Sequence, residues 1–177
     1  MIRKASFVSA LMLLAVSSWG QMGGKPGPEV KKLDYFVGTW TTEGTVQQGP
    51  WGAGGKFSST ATSEWMPGEF FVVGHGDFKM PPEIGGDGKE TAIMGYDTTQ
   101  NVYTRDGFNS QGQHESSKGT VTGDTWTWTS EANYGGTEVK QRFTTKTLSP
   151  TSYTVKFEVS LDGTNWITFM DGKATKK

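Results

Sequence analysis

The stretch Ser152-Tyr153-Thr154-Val155-Lys156-Phe157-Glu158-Val159-Ser160 decides the fold. In an extended chain Tyr153, Val155, Phe157 and Val159 fall on one face, while Thr154, Lys156 and Glu158 fall on the other. That alternation belongs to an antiparallel strand with one side in a core and one in water. Residues 124–131 repeat it, with Trp126 and Trp128 set against Thr125, Thr127 and Thr129, and residues 139–147 do so with Val139 and Phe143 against Lys140 and Arg142. Fainter alternation marks 39–46, 56–65, 69–78, 90–96, 102–108, 113–121 and 166–173, which brings the expected total to about ten strands.

The punctuation between them is turn chemistry. Asp162-Gly163, Gly123-Asp124, Pro67-Gly68 and residues 109–112 supply groups that tolerate positive φ or preset a turn, and longer glycine-rich loops run over 47–55 and 79–89. No gap is long enough for a helical crossover, so neighbouring strands are expected to run antiparallel in up-and-down order. An open sheet of this length leaves two unpaired edges, and closure removes both. The expected fold is therefore all-β, an antiparallel up-and-down barrel. One short helix precedes it, because Val30, Leu33, Phe36 and Val37 keep helical spacing, Glu29 sits in the first turn, and Gly38 stands where a left-handed cap belongs.

Ahead of that helix the chain reads as an export signal: Arg3 and Lys4, an apolar run over 7–16, then Ser18-Trp19-Gly20, with cleavage expected before Gln21. The expected organisation is a signal peptide over 1–20, a Gly/Pro-rich linker over 21–28 and a barrel domain over 29–177. The product would be periplasmic or secreted. No later apolar stretch approaches the ~18 residues of a membrane helix, so no transmembrane anchor is expected.

Composition narrows the chemistry. Lys+Arg number 17 and Asp+Glu 18, scattered along the chain, which gives no electrostatic footprint for nucleic acid. Cysteine is absent, so disulfides, thiolate nucleophiles and Cys-based metal sites are excluded. With only His75 and His114 available, no metal site is assigned and no cofactor is named. Neither serine of His114-Glu115-Ser116-Ser117 sits in a nucleophile elbow, and adjacent strand residues face opposite ways, so no catalytic residue is assigned. Glu64, Glu69, Asp77 and Glu131 would need partners across strands to do acid–base work.

Leu33-Asp34-Tyr35-Phe36-Val37-Gly38-Thr39-Trp40, a short helix leading into Gly-x-Trp, resembles the opening of the calycins, which include lipocalins and fatty-acid-binding proteins. Phe71-Val72-Val73-Gly74, Met94-Gly95-Tyr96-Asp97 and Trp166-Ile167-Thr168-Phe169-Met170 extend the likeness to a bacterial lipocalin-like family of exported proteins with no assigned function. The resemblance implies an interior cavity for a small apolar or amphipathic molecule, a fatty acid or lipid-like compound. It also implies that Trp40 plugs the closed end against a basic residue of the last strand, for which Lys173 or Lys176 is available. Nitrobindins, related ten-stranded barrels, hold haem through a His near the C-terminal end, yet 164–177 contains no His.

The candidate ligand-binding residues are Trp40, Trp126, Trp128, Phe143, Tyr153 and Phe157 at inward parity, together with His75, Tyr103 and Arg105. His75 lies between Gly74 and Gly76, which would let a ligand approach, but parity is ambiguous there because Phe70 and Val72 favour one inward face and Phe71 and Val73 the other. Arg105 would hold a carboxylate head if inward, or pair with Asp106 in solvent if outward. The same aromatics would equally make a filled core. Three readings follow: a non-catalytic binding barrel, an enzyme acting on a lipidic substrate, and a solid structural barrel.

Overall fold

A computed structural model describes residues 24–177, and the expected signal peptide lies outside the described residues. Ten strands follow an N-terminal cap: β1 (Gly38–Val46), β2 (Gly55–Trp65), β3 (Val72–Lys79), β4 (Gly88–Asp97), β5 (Val102–Asn109), β6 (His114–Thr122), β7 (Thr125–Tyr134), β8 (Thr137–Ser149), β9 (Ser152–Ser160) and β10 (Ile167–Lys176). Each pairs antiparallel with its neighbours in sequence, and β1 pairs with β10, so the sheet is a closed barrel. The alternation locates every strand, with ends displaced by a few residues. β3 starts later than expected because the chain turns at 66–71, where the Glu69 N–H donates to the Met66 carbonyl and Glu69 takes a φ of 59°.

The β1–β10 seam shows how closure is achieved. Gly44 and Gly172 face each other across it, and a Cβ on Gly44 would come within 2.2 Å of the Asp171 carbonyl oxygen. Backbones this close exclude any side chain, and the Phe57 ring covers the bare glycine from inside. On β10 a bulge between Thr168 and Met170 breaks the alternation, so that Phe169 and Met170 both reach the interior.

The helix is shorter and tighter than the apolar spacing suggests. Pro28–Lys31 forms one α turn, α1, and Lys32–Phe36 continues as a 3₁₀ turn. A segment this short gains too few i,i+4 bonds to sustain an α-helix, and no side chain caps it. Tertiary bonds hold it instead. The Tyr103 hydroxyl donates to the Glu29 carboxylate (2.8 Å) and lies 3.1 Å from its carbonyl, Tyr35 reaches the carbonyls of Ser149 and Ser152 (3.0 Å each), and Trp65 Nε1 donates to Asp34 (3.0 Å). Leu33, wholly buried, plugs that end of the barrel against Val72, Tyr103, Trp126 and Trp128.

Candidate functional site

Above this plug the barrel is hollow. A cavity of about 1050 Å³ extends from Phe36 and Trp40 at the closed end to a mouth beneath the β1–β2 and β3–β4 loops. These are the glycine-rich loops expected over 47–55 and 79–89. Their Pro50, Trp51, Glu83 and Ile84 reach over part of the opening, with Trp51 held by a 2.8 Å bond to the Gln47 carbonyl and packed 5.0 Å from Phe169.

Three kinds of wall surround the space. Phe57, Phe143, Val155, Phe157, Val159, Phe169 and Met170 make an apolar side on β2 and β8–β10. Ala61, Ser63, Gly74, Gly76 and Ala92 make a side of small residues on β2–β4, and this is where volume is left empty. Glu90, Arg105, Glu115, Ser117 and Gln141 make a polar side on β4–β8. There the Arg105 guanidinium donates to Glu90 at 2.5 Å and stands 3.9 Å from Glu115. The Gln141 side chain accepts a bond from Ser130 (2.9 Å) and donates to the Tyr134 hydroxyl (3.0 Å).

The residues singled out in the sequence divide into three groups. Trp40, Arg105, Trp128, Phe143, Tyr153 and Phe157 line the cavity. Trp40 donates to the Phe36 carbonyl at 3.1 Å, and Lys176 supplies the basic partner, its Nζ 5.4 Å from the indole centroid. Tyr153 packs 4.6 Å from that indole, and burial pushes its phenol up to about 12. Tyr103 and Trp126 belong to the plug below the cavity, their rings 4.7 Å apart, and burial followed by the Glu29 hydrogen bond raises the Tyr103 phenol.

His75 requires a correction. It faces outward, where its ring bonds Thr91 at 3.0 Å, because β3 turns Val72, Gly74, Gly76 and Phe78 inward. The glycines flanking it face the cavity, and the imidazole does not. Asp77 likewise points out and pairs with Lys89. The alternative pairing of Arg105 with Asp106 is not formed either: Asp106 is outside, 3.3 Å from His114, whose ring stacks on Phe108. With both histidines away from the cavity, the residues do not supply the axial ligand of a His-held haem. Among the described residues no three His, Asp or Glu side chains gather as a metal site, and no helix is long and apolar enough to cross a membrane.

Glu90, Glu115 and Gln141 also line the cavity, though none is among the candidates named from the sequence. Gln141 was signalled, since it falls at the same parity as Val139 and Phe143. Glu90 shares a face with Ala92 and Met94 in the same way.

A closed antiparallel barrel, plugged at one end and hollow beneath the other, defines a cavity-bearing barrel protein. The chain belongs to the family described as a protein of unknown function, DUF1579, whose model matches residues 25–176. No curated protein matches it. Among solved structures, Rv2717c from M. tuberculosis is similar at 11% identity, covering 86% of this chain and 99% of that one, with a TM-score of 0.58. The S-type phycobiliprotein lyase CPES from Guillardia theta is similar at 8% identity over 83% and 91% of the two chains, with a TM-score of 0.55. At these identities the likeness is one of fold.

Proposed function

We propose that this protein is a non-catalytic barrel that binds a small apolar or amphipathic molecule in its interior, and that it works after export. The observation that carries the binding reading is the cavity of about 1050 Å³, open at one end and apolar along one side. Ligand sites are concave, largely apolar and supplied with a few convergent polar groups, commonly in ~300–1,000 Å³. This void favours binding over a solid structural barrel. Against an enzyme stands the make-up of the lining: it holds no histidine, and the carboxylate beside its Ser160, that of Asp162, is held well below the usual carboxylate range by the Asn165 and Thr164 N–H groups of its own turn, which makes it a poor base.

Native mass spectrometry of the purified chain, with titration of a neutral fluorescent dye such as N-phenyl-1-naphthylamine, tests the reading. A co-purifying small molecule, or saturable dye binding reversed by a medium-chain alcohol, is the expected result. Absence of both would overturn it. Amino-terminal sequencing of protein recovered from the culture medium or periplasm tests export, and a mature chain beginning at Gln21 is expected.

A further inference from the structure

The polar wall bears on the charge of the ligand, an inference that rests on the cavity being a binding site. Arg105 is the one basic residue among the described lining residues, and it shares the lining with Glu83, Glu90 and Glu115. Its Nη2 donates to Glu90, and its Nη1 stands 3.9 Å from Glu115, near enough for the two charges to offset one another without a hydrogen bond. A ligand carboxylate on Nη1 would have to lie against Glu115, with Glu90 already on the same guanidinium. Two neighbouring donors are committed as well. The Ser117 hydroxyl is directed at the Arg105 carbonyl (3.4 Å), and the Gln141 amide, on a residue only 6% exposed, donates to Tyr134.

Acceptors, by contrast, are in surplus. Glu115 lies 3.9 Å from the guanidinium, beyond hydrogen-bond reach, and its other oxygen receives only a 3.2 Å bond from Ser130, whose proton is also directed at Gln141. Two carboxylates around one guanidinium leave an excess of negative charge. Glu90 and Glu115 are 38% and 45% exposed, so water screens part of that excess, but a charged head seated between them still meets more negative than positive charge, which favours a cation over an anion.

We propose that the cavity takes an amphipathic cation, with a protonated amine or similar donor-rich head seated on Glu115 and an apolar body laid along the aromatic side. Decylamine, decanol and decanoate share one chain and differ in the head. Their competition for the neutral dye at neutral pH separates the claims. Decylamine is expected to bind roughly tenfold tighter than decanol, with decanoate weakest. In Glu115→Gln the ratio of amine to alcohol affinity should fall toward one. Decanol binding accompanied by decanoate as tight as decylamine would overturn the cationic head and leave the binding barrel standing. An unchanged ratio in a folded Glu115→Gln protein would also overturn it. Failure of all three to displace the dye would sink both readings. The three-way comparison in the unaltered protein decides the matter even where the variant does not fold.

Discussion

Tyr153 joins the plug to the cavity, and its buried phenol makes a pH dependence that can be worked out in sign. Burial raises its folded pKa to about 12 from an ordinary value of 10.0. Below the ordinary value the phenol is neutral in folded and unfolded chains alike, and its contribution is fully present. Between about 10 and 12 the unfolded chain loses the proton while the folded chain keeps it, so rising pH draws the equilibrium toward unfolding. The loss is about 2 kcal/mol by pH 12. Thermal melts between pH 9 and 12 should show Tm falling in the unaltered protein and falling less in Tyr153→Phe. Parallel decline in both would mean that this phenol titrates normally. At the same scale, His75 shows what alternation fails to convey. Apolar residues flank it at both parities, and the inward face of β3 is set by its partners, with Gly74 paired to Ser63 and Ala92. The glycines were the informative letters, as missing side chains facing a void.

The cap formed by α1 and the following 3₁₀ turn is held by packing, since it is too short to be stable alone. Leu33 is its wholly buried anchor. Leu33→Ala should cost about 3 kcal/mol, from lost transfer energy plus a residual hole among rings that cannot collapse. A drop in Tm of roughly 6–12 °C is the corresponding readout, and a drop of under about 2 °C would show the plug to be loosely packed. Strands were legible in the sequence because one wet and one dry face impose a period of two over eight or more residues. The cap was only half legible, because over so few residues α and 3₁₀ spacing put the same apolar groups inward. The aromatic side of the cavity was legible through Trp128, Phe143, Tyr153 and Phe157. The polar side was legible only in part: Arg105 stood among the candidates and Glu90 shares a face with Ala92 and Met94, but nothing local shows that Glu90, Arg105 and Glu115, on three successive strands, come together.

At the scale of the molecule, the hollow follows from strand number and from one row of small residues. About eight strands make a barrel that side chains just fill, and ten make a wider one. Across the sheet the register aligns Ser63, Gly74, Ala92, Gly107 and Glu115; the Arg105–Glu90 pair overlies Gly107, and the wall at Gly74 and Ala92 carries almost no side-chain volume. Ala92 stands between two glycines and faces the cavity. A larger residue there therefore projects into empty space. Ala92→Trp should keep the fold, with Tm unchanged or raised, because the added ring fills a void without compressing neighbours. The same ring takes space that a ligand would use, so dye affinity should fall by about tenfold or more, the loss of roughly 1.4 kcal/mol. Undiminished dye binding in a folded Ala92→Trp protein would place the ligand at the mouth, among Trp51, Leu161 and Ile167, and would separate the breadth of the barrel from its function.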